Sequence, residues 1–135
     1  MENLDLIFVE DSASDAFMIK RILKKEVITD NYQWFQDGEK AIDFFKNREI
    51  QNLSLVLLDV KMPKISGFDI LEKIKQNEKT KNIPVVMLSS SEERKDIEQA
   101  YLCGANGYLT KPKQFSELKE TIRLVTNYWL NLNKT

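Results

Sequence analysis

Five short apolar runs recur along the chain, and a helix-like stretch follows each of them. The runs cover residues 4–9, 32–36, 53–58, 84–89 and 106–110. Three of them are apolar almost throughout, which is typical of strands that are covered on both faces of a parallel sheet. The alternation predicts one α/β domain with a doubly wound parallel sheet of five strands and five helices.

Helical periodicity marks the stretches between the strands. Apolar residues recur at helical spacing in four sets, namely Ile19 with Ile22 and Leu23, Ala41 with Phe44 and Phe45, Ile70 and Leu71 with Ile74, and Ile97 with Ala100 and Tyr101. The sequence predicts two capping boxes. One is formed by Ser12 and Asp15 at the start of the first helix, and the other by Ser90 and Glu93 at the start of the fourth. Gly104 fits a left-handed stop after the fourth helix.

Length and charge narrow the classes of protein to which the chain can belong. Its 135 residues are expected to form a single domain, 1–135, with no output domain. The balance of 20 basic against 21 acidic residues argues against binding to nucleic acid or to a membrane surface. Cys103 is the one cysteine, so an internal disulfide is excluded and a reducing cytoplasm is the simplest location.

The chain contains no histidine. This excludes a histidine general base, a histidine-ligated zinc site and a phosphohistidine on this chain. Any chemistry must therefore depend on carboxylates, hydroxyls, lysines and a bound metal.

Polar side chains stand where four of the predicted strands end. Glu10 and Asp11 follow the first strand, Asp59 ends the third, Ser89 the fourth and Lys111 the fifth. The carboxyl ends of parallel strands share one edge of the sheet, where open α/β sheets bind their ligands. We therefore expect three carboxylates, a hydroxyl and an ammonium group to converge.

Three neighbouring carboxylates repel one another unless they are protonated or joined by a cation. Oxygen ligands alone favour a hard ion, most simply Mg²⁺. A metal beside a lysine and a hydroxyl stabilises anionic charge, as phosphoryl transfer requires. Asp59 is the best candidate for a nucleophile that forms an acyl phosphate, because Glu10 and Asp11 are adjacent and suit metal binding.

Four motifs occur in order along the chain, "FVEDSASD", "LLDVKMPKISGFDIL", "PVVMLSS" and "GANGYLTKP". In these motifs the chain resembles the receiver domain of response regulators in two-component signalling. The resemblance implies a flavodoxin-like sheet with strand order 2-1-3-4-5. It also implies a signalling protein rather than an enzyme, which catalyses only its own phosphoryl uptake and loss.

The resemblance assigns a role to each residue of the predicted site. Asp59 matches the phosphoacceptor, which receives a phosphoryl group from the phosphohistidine of a partner histidine kinase. Glu10 and Asp11 match the acidic pair that holds Mg²⁺, together with Asp59 and the backbone carbonyl of Lys61.

Further matches concern the switch that reads out phosphorylation. Ser89 matches a hydroxyl that bonds a phosphoryl oxygen, Lys111 a lysine that pairs with another, and Tyr108 a rotating aromatic side chain. The bond between Lys111 and Pro112 matches a cis peptide of the family. Lys61 and Ser91 occupy two positions that influence the rate of dephosphorylation in this family.

Two other functions compete with this one. An aspartyl-nucleophile phosphatase of the haloacid-dehalogenase type also places an aspartate after an apolar strand, but it needs a second aspartate where this chain has Lys61. A pseudo-receiver that acts as a binding module without phosphorylation would lack part of the acidic set, the acceptor or the lysine. All of these residues are present.

The two ends of the chain suggest partners. "EDSASDAFMI" and "NYWLNL" are most similar to stand-alone receivers associated with phytochrome-type histidine kinases. The last helix carries an apolar stripe, formed by Phe115, Leu118, Ile122, Val125, Trp129 and Leu132. As a helix these residues span about 27 Å, against about 20 Å for a short strand. We therefore expect the last turn, with Trp129 and Leu132, to overhang the sheet and to form a homodimer interface.

The two tryptophans, Trp34 and Trp129, are interpreted as packing residues without a cofactor role. Neither is expected to lie near Asp59.

Overall fold

A computed structural model of the chain describes residues 2–47 and 50–134. Within these ranges five strands alternate with five α-helices, and a π-helical turn follows the last helix. The elements are β1 (Glu2–Val9), α1 (Ala13–Lys25), β2 (Tyr32–Phe35), α2 (Gly38–Asn47), β3 (Ile50–Asp59), α3 (Gly67–Gln76), β4 (Val85–Ser89), α4 (Arg94–Leu102), β5 (Gly107–Thr110), α5 (Phe115–Thr126) and the π-helical turn (Asn127–Leu132).

All neighbouring strands pair in parallel, in the order β2-β1-β3-β4-β5. The predicted order 2-1-3-4-5 is therefore confirmed. Every residue of β4 is buried, as expected for an inner strand with helices on both faces.

The core has two apolar clusters, one on each face of the sheet. Helices α2 and α3 supply Phe44, Phe45, Ile70, Leu71 and Ile74 to the first cluster. Helices α1 and α5 supply Ile19, Ile22, Leu23, Leu118 and Ile122 to the second. Because helices pack on both faces of the sheet, the ends of its strands hold the polar side chains there in fixed positions.

The start of α1 agrees in part with the predicted capping box. The Ser12 hydroxyl caps the helix by accepting a hydrogen bond from the Asp15 backbone N–H, at 3.3 Å. The Ser12 backbone N–H donates to Glu10 Oε2 at 3.1 Å, instead of to the Asp15 carboxylate. The cap is thus joined to one of the predicted metal ligands.

The capping box predicted for Ser90 and Glu93 is wrong. Helix α4 begins at Arg94, and the side chain of its N-cap residue, Glu93, makes no capping bond. The Glu93 N–H donates instead to the hydroxyl of Ser91, at 3.2 Å, so the chain turns into α4 around Ser91. At the other end of the helix Gly104 has φ +100°, which confirms the predicted left-handed stop.

The predicted cis peptide between Lys111 and Pro112 is also wrong, since every peptide bond in the described part of the chain is trans. The trans form is the intrinsic preference even before proline, by about 0.5–1 kcal/mol.

The end of the last helix lies closer to the sheet than expected. β3 has ten residues, so it spans about 33 Å rather than about 20 Å. Trp129 and Leu130 pack against the second core cluster, and the predicted overhang is wrong for Trp129. Leu132 is 61 % exposed, as expected. The described residues include no helix that is both long and apolar enough to cross a bilayer.

Candidate functional site

The five predicted site residues lie together at the carboxyl edge of the sheet. Glu10 and Asp11 follow β1, Asp59 and Ser89 are the last residues of β3 and β4, and Lys111 follows β5. β1, β3, β4 and β5 are successive neighbours in the sheet, so residues far apart in sequence come within contact distance.

Three carboxylates form the centre of the site. One oxygen atom each of Glu10, Asp11 and Asp59 lies within 4.8 Å of the other two. Glu10 and Asp59 are buried, whereas Asp11 is partly open to solvent. This all-oxygen set fits Mg²⁺. Lys61 lies two residues beyond Asp59 with its side chain in solvent, and the role of its carbonyl stays a prediction.

Lys111 is the cation of the site. Its ammonium nitrogen lies 2.5 Å from Glu10 Oε1, 3.2 Å from Asp15 Oδ2 and 3.9 Å from Asp59 Oδ2. Burial acts to lower the pKa of Lys111, but the hydrogen bond and charge of Glu10, with the charges of Asp59 and Asp15, raise it above its ordinary value. The Lys111 backbone N–H donates to the Ser89 carbonyl at 2.6 Å, which fixes the loop that carries this side chain.

Asp15 is a residue of the site that sequence reasoning missed. It lies in the first turn of α1, where its spacing from Ser12 favoured a purely capping role. Its carboxylate instead faces the Lys111 ammonium group. No pattern in the sequence separates these two roles, because a helix cap and an ion pair both use an acidic residue at this position.

The pKa of Asp59 is raised from 3.8 to about 7. Burial is the largest cause, the negative charge of Glu10 acts in the same direction, and Lys111 opposes both effects only in part. One ammonium group therefore does not balance the negative charge at the strand ends. A divalent cation bound there would favour the ionised, nucleophilic form of Asp59.

Ser89 and Tyr108 both bond to the segment that follows β4. Ser89 is buried, and its hydroxyl accepts a hydrogen bond from the Ser91 N–H at 3.0 Å. Tyr108 is partly buried against the first core cluster, and its hydroxyl donates to the Ser91 carbonyl at 2.9 Å. The hydroxyl beside Asp59 and the aromatic ring on β5 are thus joined through a single residue.

Trp34 also contacts the site, contrary to the expectation that it only packs. Its ring stacks on Phe8 with 6.5 Å between centroids, and the Lys20 ammonium group lies 4.2 Å from the centre of the indole ring. Its indole N–H donates to the Glu10 carbonyl oxygen at 2.9 Å. Gln36, two residues further along the chain, donates to the Asp11 carbonyl at 3.3 Å. Side chains of β2 and of the residue after it therefore hold the backbone of the acidic pair.

Comparison with known proteins places these features in a family. The family model "Response regulator receiver domain" matches residues 6–123. The probable methanogenesis regulatory protein FilR2 of Methanothrix harundinacea is 36% identical over 133 residues, covering 96% of this chain and 86% of that protein. Response regulator Rcp1 of Synechocystis is 33% identical over 129 residues, covering 93% of this chain and 88% of that protein.

Solved structures agree with these sequence matches. The Mn²⁺-bound form of Rcp1 superposes with a TM-score of 0.86 at 30% identity, covering 99% of this chain and 98% of that chain. The phosphorylated cyanobacterial phytochrome response regulator RcpA superposes with a TM-score of 0.87 at 29% identity, covering 97% of both chains.

Proposed function

Since the chain belongs to the response regulator receiver domain family, we propose that it accepts a phosphoryl group on Asp59 from the phosphohistidine of a partner histidine kinase, in a reaction that requires Mg²⁺. One observation carries the proposal: three carboxylates, one of them that of Asp59, and one ammonium group meet at the ends of three strands. In the proposed reaction this arrangement would provide a nucleophile, a metal site and a fixed cation within a few ångströms.

In the proposed reaction a carboxylate oxygen of Asp59 attacks phosphorus, a P–O bond forms and the P–N bond of the phosphohistidine breaks. The imidazole of the kinase leaves with the bonding electron pair. Glu10, Asp11, Asp59 and the carbonyl of Lys61 would hold Mg²⁺, which would offset the negative charge on the phosphoryl oxygens. Lys111 is close enough to Asp59 to exchange its contact there for one with a phosphoryl oxygen.

We propose that Ser89 donates its hydroxyl hydrogen bond to another phosphoryl oxygen and that Tyr108 responds to this change. Output would then occur by contact with another protein or by onward phosphotransfer from a single receiver domain. In this role the protein is a signalling component, which catalyses only its own phosphoryl uptake and loss.

A phytochrome-like histidine kinase is the proposed partner, because the chain is similar to Rcp1 and to RcpA, which is described as a phytochrome response regulator. The lone cysteine and the balanced charge suit the cytoplasm, the proposed location. We also propose a homodimer through the C-terminal helix, where Leu124, Tyr128 and Leu132 are about half exposed or more.

The competing functions have less support. A phosphatase of the haloacid-dehalogenase type needs an aspartate where the solvent-exposed Lys61 stands. A pseudo-receiver has no reason to keep Lys111 within 3.9 Å of a buried Asp59.

The direct test uses acetyl phosphate and Mg²⁺ with detection by intact-protein mass spectrometry. The wild-type protein should gain one phosphoryl group, and Asp59→Asn should gain none. Asp43→Asn is the matched control, because Asp43 is exposed on α2, and it should react like the wild type. Modification of Asp59→Asn, or of the wild type in excess chelator, would contradict the proposal.

A further inference from the structure

Four hydrogen bonds meet at Ser91, two residues after β4. Its N–H donates to the Ser89 hydroxyl at 3.0 Å, and its carbonyl accepts from the Tyr108 hydroxyl at 2.9 Å. Its own hydroxyl donates to Asp96 Oδ2 at 2.6 Å and accepts from the Glu93 N–H at 3.2 Å. Ser91 thus connects the hydroxyl beside Asp59 with the beginning of α4.

Helix α4 has few other attachments to the domain. Of its nine residues only Asp96 and Ala100 are buried, whereas α3, of ten residues, buries four. Tyr101 was expected in the apolar stripe but is 52 % exposed, and Leu102 is 88 % exposed. An element with so little buried apolar surface is displaced at low cost. The bond from Asp96 to Ser91 is therefore a large part of what fixes the first turn of α4.

The bond between Ser89 and Ser91 makes this attachment sensitive to the state of the site. If the Ser89 hydroxyl turns toward a phosphoryl group on Asp59, the Ser91 N–H loses its acceptor unless residue 91 moves as well. A buried N–H left without a partner costs about 1–3 kcal/mol. This cost is avoided if Ser91 moves together with the Ser89 hydroxyl. Because the Ser91 hydroxyl is hydrogen-bonded to Asp96, Asp96 then moves as well.

We propose that Ser91 is a positioning residue that couples the Ser89 hydroxyl to α4 through its hydrogen bond with Asp96. The inference rests on the proposed phosphorylation of Asp59 for its trigger, whereas the coupling itself depends only on the bonds described above. It assigns to the Ser91–Asp96 pair the transmission of the signal, and it leaves the phosphoryl chemistry to the strand-end residues.

The first experiment measures amide NMR shifts with Mg²⁺ and beryllofluoride, a stable phosphoryl mimic. In the wild type both the Val60 amide, beside the acceptor, and the Ile97 amide, within α4, should shift. In Ser91→Ala the Val60 shift should remain and most of the Ile97 shift should be lost. Ser90→Ala is the matched control, since Ser90 is the exposed neighbour, and it should behave as the wild type.

Variants of Asp96 separate coupling from simple structural support. Asp96→Ala removes the acceptor and should reproduce the effect of Ser91→Ala, whereas Asp96→Asn keeps an acceptor oxygen and should restore the Ile97 shift. The double variant Ser91→Ala with Asp96→Ala should lose no more than either single variant, because both remove the same bond. If Ser91→Ala does not fold, the comparison of the two Asp96 variants decides the matter.

A second arm does not depend on phosphorylation. Ser89→Ala removes the acceptor of the Ser91 N–H and should shift Ile97 in the unmodified protein, but not in the Asp96→Ala background. The coupling would be overturned if Ser91→Ala and Asp96→Ala kept the full Ile97 response to beryllofluoride and Ser89→Ala still shifted Ile97 in the Asp96→Ala background. Absence of any beryllofluoride response at Val60 in the wild type would count against the proposed function alone.

Discussion

The Lys111 ammonium nitrogen lies 2.5 Å from Glu10 Oε1 and 3.9 Å from Asp59 Oδ2, so one cation is shared by a predicted metal ligand and the predicted acceptor. Lys111 and a bound Mg²⁺ would thus stabilise the same negative charge. Each should therefore stabilise the carboxylates less when the other is present, and this can be measured.

Replacement of Lys111 by alanine should destabilise the metal-free protein by about 1–3 kcal/mol, because the buried Glu10 carboxylate loses a hydrogen-bond donor. The variant should nevertheless bind Mg²⁺ more tightly, since a positive charge that repels the ion has been removed. Urea unfolding with and without Mg²⁺ measures both effects, and Lys113→Ala is the matched control on an exposed neighbour. Weaker Mg²⁺ binding by Lys111→Ala would show that Lys111 orders the acidic residues rather than competing with the ion.

The raised pKa of Asp59 predicts how stability depends on pH. Its pKa is about 7 in the folded protein, against 3.8 for the ordinary group, so between these values the folded state binds more protons than the unfolded state. The free energy of unfolding of the metal-free protein should therefore fall as pH rises from 4 to 7.

Asp59→Asn should remove this contribution and raise stability at pH 8 by on the order of 2 kcal/mol. Unfolding midpoints at several pH values, in chelator, provide the measurement. Saturating Mg²⁺ should reduce the difference between the two proteins, because the ion stabilises the Asp59 carboxylate. An equal pH dependence in wild type and variant would assign the titration to another group.

Gly67 holds the loop after β3 against the end of that strand. A Cβ atom at this position would lie 2.2 Å from the Asp59 carbonyl oxygen. That oxygen belongs to the backbone, so it cannot move aside as a flexible side chain could. Gly67→Ala should therefore lower the free energy of unfolding by about 2 kcal/mol or more and should slow phosphoryl uptake. Gly107→Ala is the control, since its Cβ would meet only the Val86 side chain, at 3.4 Å. Equal unfolding midpoints for the two variants would contradict this.

Trp34 should report on metal binding through its hydrogen bond to the Glu10 carbonyl. A cation held by the Glu10 and Asp11 carboxylates changes the electric field at the indole N–H, so Mg²⁺ should change the fluorescence. The change should persist in Trp129→Phe and disappear in Trp34→Phe. If the fluorescence of Trp34→Phe still changed with Mg²⁺, Trp34 would not report on the metal and would have only a packing role.

The arrangement of the strands could be predicted from the sequence, because the hydrophobic pattern identifies the strands. The convergence of Glu10, Asp59 and Lys111 could be predicted from the common direction of these strands. Buried parallel strands must run the same way, so residues at their carboxyl ends meet whatever their separation along the chain. No comparable rule predicts where Trp34 directs its N–H or which serine near position 90 turns the chain into α4. These depend on side-chain rotamers and loop paths that hydrophobic period does not encode.

The C-terminal helix shows the same limit. Leu118 and Ile122 of its apolar stripe cover the sheet, and the length of β3 and the π-helical turn place Trp129 on the domain's own core as well. Polar residues within the first half of β3, such as Asn52 and Ser54, gave no sign that the strand begins at Ile50. The exposed apolar surface at this end is therefore formed by Leu124 and Tyr128, which lie outside the stripe, and by Leu132, its last member.

The proposed homodimer should depend on Leu124 and Tyr128, which are 55 % and 49 % exposed, rather than on Trp129. Leu124→Glu and Tyr128→Glu place charges on this surface and should abolish association while leaving the unfolding midpoint nearly unchanged. Trp129→Ala should instead destabilise the monomer, because it removes a side chain packed on the second core cluster. Sedimentation with and without beryllofluoride measures the association, which should be stronger with the mimic. A wild-type monomer in both states at high protein concentration would exclude the dimer and leave the Leu124–Tyr128 surface available for a different protein.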